Sequence, residues 1–361
     1  MRILHIYKDY FPVRGGIENH VRLLAEAQAA RAHEVTVLVT SRDRHSHGEW
    51  RNGVRILFGS RLMDLSSAPL SVELFQRAAE WQGDIIHLHS PYPVGELAYF
   101  FGSKTRAAVL TYHSDIVRQK IMGALYTPLW HRVLARVNTI IATSPVYVET
   151  SPVLARHRKK CIVVPLGIPP PSRVAEHIDV PPTELLFVGK LRYYKGVNDL
   201  LQALAQISDA RLTIVGSGPM EAEWKALAAS LNLAARVTWA GEVSDDALAA
   251  YYDACEIFVL PCSERSEAFG AVQLEAMAAG KPIVSCDVHT GVAWVNQNEI
   301  TGLIVPPKNS AALAQAITRL LNNAPLRARM GSAGRERFAR EFTLDKMVER
   351  VLRVYEIALA V

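Results

Sequence analysis

Cysteine is scarce in this chain, and the four present, Cys161, Cys255, Cys262 and Cys286, form no CxxC pair. Each lies beside or within an apolar run, so they read as buried thiols of a reducing compartment. No apolar run is long enough to span a bilayer. The opening MRILHIYKDYFP reaches Lys8 and Asp9 too soon to form the apolar core of a signal peptide, and the expected location is cytoplasmic. Low-complexity tracts are missing and hydrophobic residues make up 50% of the chain, which excludes intrinsic disorder. No DxD occurs, so the usual carboxylate arrangement for a metal-bound nucleotide diphosphate is absent. A complete GxGxxG is absent too: in VGSGPME, Glu221 stands where the third glycine would be. Without an aromatic-basic platform, zinc spacing or a recognition-helix signature, nucleic acid is not an expected partner.

What is present is 361 residues, more than one hydrophobic core usually serves, so two domains are expected. Short β-rich runs alternate with helix-length segments. RILHIY, EVTVLVT, DIIHLHS, AAVLTYH, NTIIATS and CIVVPLG punctuate the first half. ELLFVGK, RLTIVGSG, RVTWAGE, EIFVLPC, KPIVSCD and TGLIVPP punctuate the second. Such runs predict parallel sheets buried on both faces, hence an α/β protein with two doubly wound domains. Between them PLGIPPPSRVAEHIDVPP, residues 165–182, is too rich in proline for regular structure and marks a linker. Open parallel sheets bind ligands at the carboxyl ends of their strands, which places a ligand in a cleft between the two domains. Charge is uneven: residues 1–180 carry 22 lysines and arginines against 15 acids, and residues 181–361 carry 18 against 20. A basic first half favours phosphorylated ligands or anionic lipid. In DIVRQKIMGALYTPLWHRVLARV, residues 115–137, Ile121, Met122, Leu125, Leu129, Trp130 and Val133 are set among Arg118, Lys120, Arg132 and Arg136, with Pro128 as a break or kink. That stretch suits either a bilayer surface or a pair of helices packed on the sheet. Arg156, Arg158, Lys159 and Lys160 in ARHRKK add a basic cluster.

The unusual residues follow the strand runs. Gly15 and Gly16 open RGGIENHV, where glycines let backbone N–H groups approach a phosphate at a helix N-terminus. Lys190 and Lys195 in FVGKLRYYKG supply two cations that neutralise a diphosphate and stabilise the charge on it as it departs. In SERSEAFGAVQLEAM a helix is expected from Gly270 to a stop at Gly280. Free N–H groups at Phe269, Gly270 and Ala271 would meet a phosphate or hydroxyl oxygen. Glu267 and Glu275 would accept hydrogen bonds from vicinal hydroxyls. His113 in TYHSD ends a strand and would face the same cleft. The HLH of residues 87–89 offers two imidazoles on one strand face with no third ligand nearby, so no metal site and no cofactor is expected.

GGIENHV, AHEVTVL, TYHSD, VGKLRYYKG, IVGSGP, the E-x7-E pair and AMAAGKPIV occur in an order that resembles the retaining GT-B glycosyltransferases of family 4 (GT4) over nearly the whole chain. The resemblance implies two Rossmann-like domains facing across a cleft and closing on a nucleotide sugar. Residues 1–168 would form an acceptor-side domain, 169–182 a linker and 183–340 a nucleotide-sugar domain. Residues 341–361 would be a helix crossing back to the first domain. It implies that Glu267 contacts the donor sugar, Glu275 the ribose and Lys195 the diphosphate, with Lys190 where arginine is commoner. It also places His113 near the sugar, Gly15 and Gly16 near phosphate and acceptor, Ala268, Phe269 and Gly270 along the donor, and Val243 near the nucleobase. Leu166 stands where asparagine is frequent and Trp294 where an acid is common. The variants HSDIVRQK and ERSEAFG most resemble bacterial mannosyl- and rhamnosyl-type members. GDP-mannose is therefore the first expected donor and a UDP-sugar the second, with a lipid-linked or envelope saccharide as acceptor and a peripheral position on an anionic inner membrane surface.

Two other functions fit parts of this pattern. A nucleotide-sugar epimerase would need the same diphosphate clamp, whereas a sugar-binding module has no need of Lys190 and Lys195. A glycoside hydrolase is disfavoured: eight residues of helix set the two acids about 12 Å apart, against about 5–9.5 Å for hydrolase pairs.

Overall fold

A computed structural model describes residues 1–13, 15–42, 45–65, 68–115, 120–170 and 180–361. The chain divides into two compact units, Met1–Gly167 with Leu344–Val361, and Ile168–Thr343. Part of the expected linker, residues 171–179, lies outside the described residues.

The first unit carries strands β1 (Arg2–Ile6), β2 (Glu34–Thr40), β3 (His47–Arg51), β4 (Val54–Gly59), β5 (Met63–Leu65), β6 (Ala68–Leu70), β7 (Ile85–Ser90), β8 (Ala107–Tyr112), β9 (Thr139–Ala142) and β10 (Cys161–Val163). Among the described residues its main sheet runs β10-β9-β8-β7-β1-β2-β4-β3, parallel except for the edge strand β3. β7 and β8 are buried along their whole length, as strands covered on both faces must be. The β3–β4 hairpin was not expected from the apolar runs. Its signal is Asn52-Gly53, which takes φ 49° and 78°, the two positive values of a type I′ turn.

The second unit carries β11 (Thr183–Val188), β12 (Leu212–Val215), β13 (Val237–Gly241), β14 (Cys255–Leu260), β15 (Ile283–Cys286) and β16 (Gly302–Val305). They form one sheet, β13-β12-β11-β14-β15-β16, every pair parallel. Numbered within the unit this is the order 3-2-1-4-5-6 of a doubly wound nucleotide-binding sheet. The order reverses between β11 and β14, and a crevice opens at the carboxyl ends of strands at such a reversal.

The terminal helix Leu344–Ala360 belongs to the first unit. Its buried residues Met347, Val348, Val351, Val354, Tyr355 and Ala358 recur at three- and four-residue spacing, an apolar stripe that packs on the helix Gly16–Ala29 and on β8.

One expectation needs correction. Of the break or kink expected at Pro128, the break does not occur: the helix Lys120–Arg136 runs through it. Trp130 and Val133, two residues of the apolar stripe, are buried, and the Trp130 ring stacks on Tyr112 with centroids 5.6 Å apart. That face is therefore core and not free for a bilayer. Arg118 lies outside the described residues, and the Ile121, Met122 and Leu125 side chains are likewise undescribed. Among the described residues, no helix is long and apolar enough to cross a membrane.

Candidate active site

In the second unit the loops after β11 and β14, neighbours at the strand-order reversal, are forced together by Gly196. Its φ is +68°, and a Cβ there would lie 2.0 Å from the Pro261 carbonyl oxygen, so only glycine permits the approach. The Ser263 N–H donates to the Tyr194 carbonyl across the same junction, at 2.8 Å. This contact sets Lys195, at the end of the short 3-10 turn Tyr193–Lys195, against Glu267: Lys195 Nζ lies 2.6 Å from Glu267 Oε2. Both side chains are almost buried, 10% and 12% exposed. Burial works against the Lys195 ammonium, and the Glu267 carboxylate outweighs it, holding the lysine above its ordinary pKa. A loop after β15 braces the segment, the Thr290 hydroxyl donating to the Glu267 carbonyl at 2.7 Å and the Gly291 N–H to the Ala268 carbonyl at 2.8 Å. Lys190, in the same β11 loop, is exposed.

The helix that was expected to begin at Gly270 begins at Val272 and ends at Ala278. Gly270 has φ +71°, outside helical space, and serves as the turn into the helix. The stop is as expected: Gly280, φ +70°, donates to the Met277 carbonyl, and Lys281 to the Ala276 carbonyl. Ala268 and Phe269 are buried, the Phe269 ring lying 6.3 Å from Phe342 and 6.5 Å from Trp294. Trp294 itself packs on Phe342 and under the Arg337 guanidinium, which accounts for an aromatic ring there.

Glu275 lies on the helix Val272–Ala278 beside Tyr252, whose hydroxyl donates to the Val272 carbonyl at 3.0 Å. Burial pushes the Glu275 carboxyl up to about 7, with the neighbouring Tyr252 hydroxyl pulling the other way. Its Oε2 is enclosed and has no partner. A buried oxygen without a partner is costly and marks a place for a ligand hydroxyl or water. Val243, half-buried, sits between β13 and the helix Asp245–Ala254. The glycines of VGSGP have a packing reason: a Cβ on Gly216 would meet the Gly189 carbonyl oxygen at 2.2 Å, and one on Gly218 the Leu191 carbonyl oxygen at 2.6 Å.

In the first unit Gly15 precedes the helix Gly16–Ala29, and the place of its missing Cβ is filled by the Glu18 carboxylate, 2.1 Å away. Gly16 faces open space. His113 follows β8 and is buried, with its N–H donating to the Ser90 carbonyl at 2.9 Å. It does not stand alone. The parallel register aligns His5 with His87 and His89 with Thr111, so β1, β7 and β8 present these side chains, and His113 beyond them, on one face. The helix Gly16–Ala29 adds His20 and Gln28 from above. The distances form a chain: Gln28 Oε1 to His5 Nε2 is 2.8 Å, His5 Nδ1 to His89 Nε2 is 3.0 Å, and His89 Nδ1 to His113 Nε2 is 3.1 Å. The expectation that HLH lacks a third imidazole is thereby overturned. His5, His20 and His113 come from other elements, which no local spacing reveals.

Residues 14–171 match the family described as glycosyltransferase family 4, and residues 171–337 the family described as glycosyl transferases group 1. The O-antigen chain mannosyltransferase C of Escherichia coli is 35% identical over 365 residues, covering 98% of each chain. The chain belongs to glycosyltransferase family 4. The D-rhamnosyltransferase WbpZ of Pseudomonas aeruginosa is 37% identical over 355 residues, 95% of this chain and 92% of its own. Among solved structures, sucrose-phosphate synthase from Thermosynechococcus elongatus shares 25% identity with a TM-score of 0.80 over 99% of both chains. The fold is GT-B, and the protein is a glycosyltransferase.

Proposed function

We propose that this glycosyltransferase moves a hexose, mannose from GDP-mannose before a UDP-sugar, to a lipid-linked or envelope saccharide with retention at the anomeric carbon. The reading rests on the Lys195–Glu267 pair at 2.6 Å, placed at the strand-order reversal of a 3-2-1-4-5-6 sheet. An ammonium held charged in a nearly dry site stabilises a departing diphosphate far better than one in water. As the diphosphate engages Lys195, the Glu267 carboxylate turns its acceptor sites to the donor sugar. Glu275, with its unpartnered Oε2, takes a ribose hydroxyl. Lys190 adds a second cation, His113 meets the sugar, Gly15 and Gly16 serve phosphate and acceptor, Val243 the base, and Ala268, Phe269 and Gly270 the donor. The likeness to a mannosyltransferase and a rhamnosyltransferase favours GDP-mannose.

A panel of nucleotides read by thermal shift tests the donor, since binding to the folded state raises the midpoint by mass action. GDP should stabilise most; a larger shift with UDP would move the assignment to a UDP-sugar. Incubation of labelled donor without acceptor should give slow hydrolysis only, and an epimer would replace the transferase reading. The anomeric configuration of the product, read by NMR, decides retention. Transfer should persist in EDTA. Arg156, Arg158 and Lys159 are exposed, whereas Lys160 is half-buried and donates to the Ala135 and Val137 carbonyls. We infer a peripheral site for anionic lipid at the three exposed cations. Wild type that stays in the supernatant with anionic liposomes at low salt removes it.

A further inference from the structure

The imidazole cluster of the first unit exceeds what one sugar contact requires, and one member has no partner. Both ring nitrogens of His20 are enclosed and make no hydrogen bond. Both nitrogens of His5 and His89 are accounted for, and His113 is bonded through Nε2. Gln28 Nε2 donates to the Tyr355 hydroxyl at 3.1 Å, so Gln28 Oε1 accepts from His5 Nε2–H. His5 Nδ1, then bare, accepts from His89 Nε2–H. This leaves His89 Nδ1 as a lone pair, directed at His113 and His20. A metal-ligating histidine has this arrangement: its far nitrogen donates to a buried acceptor, which fixes the tautomer and aims the near lone pair.

We propose that His20, His89 and His113 bind one divalent transition-metal ion of the zinc class, and that its occupancy withdraws His113 from the donor sugar. One ligand nitrogen from each residue lies within 4.8 Å of the others. The His89–His113 edge, 3.1 Å, is close to the about 3.3 Å between two nitrogens bound tetrahedrally to zinc. Three imidazoles on one such ion have ring centroids about 5 Å apart, and here the centroids are separated by 4.9, 5.4 and 5.6 Å. A rotation of the His20 ring closes the remaining gap. His113 exchanges its Nε2 proton for one on Nδ1, so both partners of the present hydrogen bond become ligands. His20 and His113, 7% and 6% exposed, offer the way in, while His89 is 1% exposed. The neighbouring trio His5, His87 and His89 is a weaker site, because both nitrogens of His87 are engaged, by the Tyr355 hydroxyl and by Thr111. The ion is not required for transfer. Its inhibitory effect rests on the proposed role of His113 at the sugar.

Tag-free protein, stripped with chelator, would be titrated with Co2+ and Zn2+. The expected result is one ion per chain with the visible absorption of tetrahedral imidazole-bound cobalt. His20→Ala should weaken binding by on the order of 100-fold while keeping the circular dichroism spectrum and the basal transfer rate. His20→Cys should keep the ion and add a thiolate-to-cobalt charge-transfer band. Zn2+ should slow transfer by wild type over the concentrations at which it binds and leave His20→Ala unaffected. Equal affinity in wild type and His20→Ala, or no binding in either, overturns the site. Zinc binding that leaves the wild-type rate unchanged supports the site and overturns the role of His113 at the sugar, so the two readings fail separately.

Discussion

The two units use one architecture, a doubly wound parallel sheet with chemistry after its central strands, yet they fill those positions with opposite electrostatics. The second unit buries a charged pair, Lys195 with Glu267. The first buries five imidazoles, His5, His20, His87, His89 and His113, all held neutral by desolvation. The difference runs against bulk composition. The basic half, with 22 lysines and arginines against 15 acids, places uncharged rings at its strand ends. The acidic half, 18 against 20, buries the ammonium. Net charge describes the solvated surface, whereas a site is set by the few groups that lose their water, whose interactions are least screened.

The comparison is broken most strongly at Lys195. Lys195→Ala should lower the transfer rate by about 2–4 kcal/mol, as removal of one donor to a developing anion does. It should also cost about 3–5 kcal/mol of stability, because Glu267 is left buried without a partner. A Lys195→Met, Glu267→Gln double variant should recover much of the stability and none of the rate. Denaturant unfolding together with steady-state kinetics would show this, and parallel losses in all variants would mean that the pair is only structural.

Acid tests the other unit. A histidine whose folded pKa lies below its unfolded value contributes stability that is fully present above the unfolded pKa and is lost as pH falls through the folded one. For His5, lowered to about 4 from 6.5, the window runs from about 6.5 down to 4. The loss at pH 5 is about 2 kcal/mol from this residue alone. Hydrogen exchange at pH 7 and pH 5 should place the weakening in the first unit, and a uniform response would remove the contrast.

Glu267→Gln should reduce turnover by about 1.5–3 kcal/mol, the scale of a hydrogen bond to a charged group, with little change in nucleotide affinity. Glu275→Gln should do the reverse and weaken nucleotide binding by about 0.5–1.5 kcal/mol. Since burial holds the Glu275 carboxyl near 7 and ribose hydroxyls favour its ionised form, wild-type affinity should rise as pH increases toward 7 and level off above it. The variant should lack this dependence. Calorimetry from pH 6 to 8 compares them, and identical profiles would leave Glu275 as a helix-face residue.

Much of this was legible because it is local. Each quoted apolar run carries a strand, since a strand buried on both faces needs β-branched and aliphatic residues throughout. Gly280 ended its helix as the sequence predicts, because a left-handed residue with a proline two positions on, Pro282, cannot continue one. Gly270 misled: a glycine before an amphipathic run reads as a helix start until its positive φ is known. The β3–β4 hairpin was legible in Asn52-Gly53 but lay outside a search directed at buried parallel strands. The apolar face around Trp130 fits a bilayer and a sheet equally well from sequence. Only its contact with Tyr112 assigns it to the core.

Local signals carried the fold class, the order of the strands along the chain, the loops that hold Glu267, Lys190, Lys195 and His113 and the helix that holds Glu275, because strand periodicity and turn chemistry act over a few residues. The sequence by itself showed that His87 and His89 share one strand face. Tertiary structure decided which residues from distant elements join them. Lys195 meets Glu267 because a missing Cβ at Gly196 lets two loops touch, and that contact spans some seventy residues of chain. His5, His20 and His113 surround His89 because parallel pairing sets β1 and β8 on either side of β7, and a helix closes the face above them. Such proximity is a property of register and packing, and no stretch of sequence short enough to carry a pattern contains it.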